Sequence, residues 1–86
     1  MKRNRFKQLI EDLGYRVDIV RTVYNESQSI EIFLNNNNYL KLVTIDDTKP
    51  YTFKNHELFD TMSSQKQLKI YRLVTIYAET KPKDRN

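Results

Sequence analysis

The amino-acid sequence predicts an α+β fold. In this fold an N-terminal helix and a C-terminal helical segment pack on one face of a three- to four-stranded antiparallel sheet. Three patterns in the 86 residues predict it. Apolar residues recur with a helical period near the start, alternate with polar residues through the middle, and form a capped apolar segment near the end. We expect a single domain over residues 1–80 and a basic C-terminal tail over residues 81–86.

The first helix is expected over about residues 4–13. Its apolar side chains recur at the i, i+3, i+4 and i+7 spacing that lines one helix face, at Phe6, Leu9, Ile10 and Leu13. Gly14 follows the last of them, and a glycine just past a helix commonly adopts the left-handed conformation that ends it.

The middle of the chain predicts an antiparallel meander, because short turns separate consecutive strand-like runs. The strands are expected within residues 15–24, 30–34 and 39–45, and residues 51–53 can add a short edge strand. The turns are expected at Asn25–Ser27 and at the run Asn35–Asn38, since Asn accepts a positive φ. The apolar alternation shifts near Val20, which predicts a bulge or bend there.

The last third of the chain predicts helical structure. A short helix is expected around residues 55–62, and Ser64 with Gln67 matches a capping box. The following segment, Leu68–Thr80, fits both a helical stripe and a strand alternation. Its length and its cap favour the helix, and Pro82 comes just after its end.

The positive charge lies at the two ends of the chain. The formal net charge is +4, but residues 1–7 contribute +4, residues 81–86 contribute +2, and residues 8–80 contribute −2. A basic groove on the folded body is therefore not expected, although terminal arms can contact phosphates without one. The candidate contacts to an anionic partner are Lys2, Arg3, Arg5, Lys7, Lys81, Lys83 and Arg85.

Composition removes most catalytic classes. With no Cys, one His and one Gly, the chain has no disulfide, thiolate zinc site, cysteine nucleophile or glycine-rich phosphate loop. His56 has no partners at the spacing of a metal site or a catalytic triad. We expect no catalytic, metal-binding or cofactor-binding residue. No apolar run approaches a membrane span, so a cytoplasmic protein is expected.

Aromatic and basic residues are interleaved in the predicted strands. Because the stripe of Ile30, Ile32 and Leu34 must pack against the helices, neighbouring side chains are expected on the opposite sheet face. The candidate contacts on this exposed face are Arg21, Tyr24, Phe33 and Lys41.

The segment 73–85 resembles the C-terminal ending of small proteins that phages and prophages of low-GC Gram-positive bacteria encode. Those endings run Tyr-Ala-x-Thr-Pro and then a short charged stretch that closes on Arg. The matching positions are Tyr77, Ala78, Thr80 and Arg85. Lys81 stands where the pattern has Pro, and Pro82 follows one residue later. The resemblance implies a bacterial host cell as the setting, and no catalytic residues.

The function expected from the sequence is that of a small non-enzymatic phage- or prophage-type protein that binds a host or phage protein. The alternative is an accessory protein that binds nucleic acid weakly and nonspecifically through its basic ends. Both a monomer and a dimer are compatible with the sequence.

Overall fold

The computed structural model describes residues 1–24, 26–34 and 39–86. In chain order its elements are α1 (Arg3–Asp12), β1 (Arg16–Thr22), β2 (Ser27–Phe33), β3 (Lys41–Asp46), β4 (Phe53–Asn55), α2 (Glu57–Asp60), α3 (Ser64–Glu79) and a 3₁₀ turn (Pro82–Asp84). The predicted four-Asn turn and Asn25 lie outside the described residues. Within those ranges, no helix has the length and apolar character needed to cross a membrane.

The α+β prediction is confirmed, and the sheet has four strands. They run antiparallel in the order β1-β2-β3-β4, so each strand pairs with its neighbours in sequence. One sheet face packs with the helices in a continuous apolar core. The buried members of this core are Phe6, Ile10, Val17, Ile30, Ile32, Leu42, Val43, Ile45, Phe59, Ile70, Val74 and Tyr77.

The irregularity of the sheet lies between β2 and β3. Ile32 pairs with Val43 whereas Phe33 pairs with Lys41, so Leu42 is an extra residue in β3. Leu42 and Val43 are therefore both buried although they are adjacent. The pairing of β1 with β2 runs through seven residues in one register, and the bulge predicted in β1 is wrong.

The C-terminal segment is a helix, as its length predicted. The helix α3 starts at Ser64, the predicted cap position, because the N-cap is Ser63, one residue earlier. The Ser63 hydroxyl accepts the Lys66 amide at 3.4 Å. The side chain of Gln67 does not bond to the cap residue. Its Nε2 donates instead to the carbonyls of Phe59 and Met62. The side chain of Gln67 thus ties α3 to the end of α2.

A buried carboxylate, Asp47, joins both ends of the chain to the sheet. Its Oδ2 accepts from Arg3 Nε at 2.6 Å and from Gln28 Nε2 at 2.7 Å. Its Oδ1 accepts from the Tyr77 hydroxyl at 2.5 Å and from Arg85 Nη1 at 3.3 Å. We call these five residues the Asp47 cluster. It connects α1, β2, α3 and the C-terminal segment through one side chain.

Arg85 is fully buried, so residues 81–86 do not form the free basic tail that the sequence predicted. Its guanidinium lies 4.8 Å from the centroid of the Tyr77 ring. Its carbonyl accepts the Arg3 amide at 2.6 Å. Besides Asp47, the guanidinium donates to the carbonyls of Thr80 (2.8 Å), Ala78 (3.1 Å), Lys49 (3.3 Å) and Asp46 (3.3 Å). The domain therefore includes this segment.

Tyr77 connects the Asp47 cluster to the apolar core. Its ring stacks on Phe6 with the centroids 4.5 Å apart, while its hydroxyl donates to Asp47. Burial, and the hydrogen bond and charge of Asp47, raise the pKa of the Tyr77 hydroxyl. The hydroxyl stays protonated and remains a donor to the carboxylate.

Replacing Arg85 tests whether the C-terminal segment belongs to the fold. We expect Arg85→Met to lower the free energy of unfolding by about 3 kcal/mol, because it removes one partner of a buried ion pair together with four hydrogen bonds to backbone carbonyls. The exposed neighbour gives the control: Lys83→Met is expected to change it by less than about 0.5 kcal/mol. Urea unfolding followed by circular dichroism measures both. Equal effects of the two substitutions would contradict the packing of Arg85.

Candidate protein-binding surface

The basic residues at the chain ends are only partly available to an anionic partner. Arg85 is buried, so its predicted role as a contact is wrong. Arg3 holds Asp47, and Lys7 lies 3.6 Å from Glu11 in an ion pair. The remaining four are exposed: Lys2, Arg5, Lys81 and Lys83.

The four residues predicted for an exposed sheet face do not share one surface. Phe33 is only 3% exposed, and its prediction as a contact is wrong. The Arg16 guanidinium carbon lies 4.2 Å from the Phe33 ring centroid and the Lys41 Nζ lies 5.9 Å from it. These two long side chains cover the ring, and cation–π attraction favours that arrangement.

Arg21 lies on the opposite sheet face from Phe33 and Lys41. Phe33 pairs with Arg16, so these two side chains share a sheet face. Arg21 lies five residues after Arg16 in β1, and an odd spacing along a strand places two side chains on opposite faces. The prediction that Arg21 shares a face with Lys41 is therefore wrong. Tyr24 is exposed as predicted, at the turn that follows β1.

The sheet face away from the helices, which we call the outer face, carries polar groups that pair with one another. Lys41 Nζ lies 2.9 Å from Glu31, and Arg16 Nη2 lies 3.1 Å from Asp18. The charges of Lys41 and Arg16 are thus paired within the outer face. The outer face is therefore a poor base-stacking platform, since its aromatic ring is covered.

His56 belongs to the outer face and has a structural partner. Its Nε2 lies 2.8 Å from the Thr44 hydroxyl. Burial, with the positive charges of Lys41 and Lys54, lowers the pKa of His56. In the described part of the chain, no three His, Cys, Asp or Glu side chains come together as metal ligands would.

The two edges of the sheet differ in how they are protected. The β4 edge is three residues long and contains Lys54, and short length and Lys are both devices that prevent pairing with other chains. The strand at the other edge, β1, is seven residues long and has neither Pro nor Lys. Among the described residues, β1 pairs only with β2. Its other side presents backbone donors and acceptors without a strand partner.

Apolar side chains are exposed along this edge. Ile19 and Val20 are each 42% exposed, on opposite faces of β1. Val23 and Tyr24, in the turn that follows, are 89% and 99% exposed. We call β1 together with Val23 and Tyr24 the β1 edge. It combines unpaired backbone with apolar side chains, which is what an added strand requires.

An open cleft of about 490 Å³ lies beside the C-terminal end of β1. Gln28 forms part of its wall and links two arginines: Oε1 accepts from Arg21 Nε at 3.2 Å and from Nη2 at 2.9 Å, while Nε2 donates to Asp47, which also holds Arg3. We call it the arginine cleft. The residues that line it are Arg3, Arg21, Thr22, Val23, Glu26, Gln28, Asp47 and Thr48.

Comparisons of this chain with protein-family models, curated protein sequences and solved structures gave no match. The β1 edge and the arginine cleft are therefore the features that bear on function.

The sequence identified parts of these surfaces but not either surface as a whole. The predicted meander places β1 at an edge of the sheet, and Arg3, Arg21 and Tyr24 were all predicted as contacts. The arginine cleft brings together residues from three separate segments of the chain: Arg3, residues 21–28, and Asp47 with Thr48. No local spacing indicates such a site.

The His56 environment predicts a pH dependence of stability. Because its pKa is lowered from the ordinary value of 6.5, the unfolded chain binds the proton more readily than the folded one. We expect the free energy of unfolding of the wild type to fall as the pH drops through and below about 6.5, relative to that of His56→Gln. Urea titrations at pH 7.5 and pH 5 measure this difference. The same change in both proteins would contradict the lowered pKa.

Proposed function

We propose that this chain is a non-enzymatic binding protein and that a strand of another protein pairs with β1. The observation that carries the proposal is the β1 edge, which has no second strand partner among the described residues and exposes apolar side chains. In strand addition, main-chain hydrogen bonds supply affinity and the alternating side chains supply specificity. With seven residues, β1 is longer than an average strand of about five or six.

The two faces of the β1 edge present different side chains to such a strand. Val20 lies on the outer face between Asp18 and Thr22, while Ile19 lies on the helix-packed face between Val17 and Arg21. An apolar residue of the partner on each face would cover Val20 and Ile19. This burial adds a hydrophobic contribution to the backbone pairing.

The proposed setting is the cytoplasm of a low-GC Gram-positive bacterium in which a phage or prophage is present. The support is the resemblance of the C-terminal ending. In this chain the carbonyls of Ala78 and Thr80 accept hydrogen bonds from Arg85, and the Tyr77 hydroxyl donates to Asp47, which also accepts from Arg85. The residues of the ending therefore stabilise the fold, and the proposed binding surface is the β1 edge.

Nucleic-acid binding has less support than protein binding. Arg85 is buried, Arg3 and Lys7 are ion-paired, and the outer face has no free aromatic ring among the described residues of β1, β2 and β3. Four exposed basic side chains at the ends would give only weak, salt-sensitive contacts with phosphates.

Site-specific crosslinking tests the proposed function. The photoreactive residue p-benzoylphenylalanine replaces Tyr24, which is almost fully exposed, and the protein is irradiated in a nuclease-treated lysate of a low-GC Gram-positive bacterium. We expect a discrete crosslinked protein, whose yield falls at least about tenfold when Val20→Lys is added, because Lys on an edge strand opposes pairing. A crosslinked second copy of this chain would identify the partner strand as its own.

The matched control is Ile76→Lys, which places the same charge on an apolar residue of α3 that is 48% exposed, close to the 42% of Val20. The free energy of unfolding of both variants is expected to lie within about 0.5 kcal/mol of the wild-type value. Equal crosslinking in the two variants would contradict binding at the β1 edge. Crosslinking that appears only in the same lysate without nuclease treatment would favour the nucleic-acid alternative.

A further inference from the structure

We infer that the arginine cleft binds a carboxylate of the partner protein, carried by the residue that pairs with Arg21. This inference rests on the proposed pairing of a strand with β1. Residues that pair across neighbouring strands project their side chains to the same sheet face. The residue opposite Arg21 on an added strand would therefore project to the face on which Arg21 and Gln28 lie, beside the cleft.

The donors that face such a carboxylate are the unused nitrogens of two guanidinium groups. Arg21 donates from Nε and Nη2 to Oε1 of Gln28. Arg3 donates from Nε to Asp47 and from Nη1 to Asn86. Arg21 Nη1 and Arg3 Nη2 have no hydrogen-bond acceptor within residues 1–24, 26–34 and 39–86. Each guanidinium is thus held in place by some of its N–H groups and keeps others free.

The Asp47 cluster fixes the orientation of the two arginines. The same oxygen, Asp47 Oδ2, accepts from Arg3 and from Gln28, and Gln28 in turn accepts from Arg21. Since Gln28 is hydrogen-bonded at both ends of its amide, its position and that of the Arg21 fork are defined before a ligand arrives. Preorganised donors lose less conformational entropy on binding.

The charge of the cleft favours one carboxylate over a phosphate. Two basic residues, Arg3 and Arg21, and two acidic residues, Asp47 and Glu26, line it. The lining therefore has no formal net charge, and a doubly charged phosphate would meet the repulsion of both acids. A single carboxylate that accepts from Arg21 and Arg3 forms charge-assisted hydrogen bonds with a smaller repulsive cost.

The expected partner strand has a simple pattern. In an antiparallel pairing, an acidic residue opposite Arg21 is followed by apolar residues opposite Val20 and Ile19. We test this with the acetylated peptide amide Thr-Glu-Val-Ile-Thr-Val and with its Gln counterpart. The titration is followed in the full ¹⁵N-labelled chain by the backbone amides of β1 and by the Nε–Hε signal of Arg21.

We expect the Glu peptide to bind roughly tenfold more tightly than the Gln peptide, the factor for a hydrogen bond to a charged group. In Arg21→Gln this preference should fall to less than about twofold, while the β1 amides still respond to both peptides. Arg72→Gln, which removes the same charge from an exposed site on α3, should keep the full preference.

Three results would overturn the inference. Equal binding of the two peptides to the wild type would leave strand pairing standing and remove the carboxylate site. No response of the β1 amides to either peptide would reject the carboxylate pairing, while the Tyr24 crosslinking still decides the proposed function independently. A larger shift of the Arg21 Nε–Hε signal with inorganic phosphate than with the Glu peptide would identify a phosphate site.

Discussion

The structure depends on one buried carboxylate, that of Asp47, which accepts hydrogen bonds from four side chains in four different segments. Burying a charge costs several kcal/mol, and it is offset only where partners satisfy both oxygens. Here two arginines surround the acid, so the Asp47 cluster carries a net positive charge. The Tyr77 ring and four backbone carbonyls that accept from Arg85 compensate it. The fold of an 86-residue chain without disulfides therefore has a polar centre beside its apolar core.

The same interaction links the fold to the surface proposed for binding. Asp47 orients Gln28, and Gln28 holds Arg21 at the end of β1, next to the exposed apolar residues of the β1 edge. Interactions that close the ends of the chain around the core thus also position the guanidinium groups of the arginine cleft. A change in the C-terminal segment would affect the cleft through Asp47, although Arg85 itself is buried.

The helices and strands were predictable because their side-chain periods are local properties of the sequence. The apolar stripe of α1 and the length of α3 were sufficient for both helices. Arg85 was not predictable, because a lysine- and arginine-rich ending looks solvated unless the acid that receives it is known, and Asp47 is 38 residues away. Phe33 lies on the predicted sheet face, but its exposure was wrong. The extra residue Leu42 places Lys41 opposite Phe33, and Arg16 and Lys41 cover the ring. The predicted meander already places β1 at an edge of the sheet. The cleft beside it could not be predicted, because Arg3 and Asp47 are far from Arg21 in the sequence.

A double-mutant cycle between Asp47 and Arg85 tests the central role of the carboxylate most directly. The free energies of unfolding of the wild type, Asp47→Asn, Arg85→Met and the double variant are measured by urea titration, all in the same concentration of trimethylamine N-oxide so that each protein is folded at the start. If the carboxylate organises the cluster, the double variant is less destabilised than the sum of the single variants by about 1 kcal/mol or more, since each change removes the partner of the other. Effects that add within about 0.5 kcal/mol would show that Asp47 and Arg85 act independently and would contradict the account.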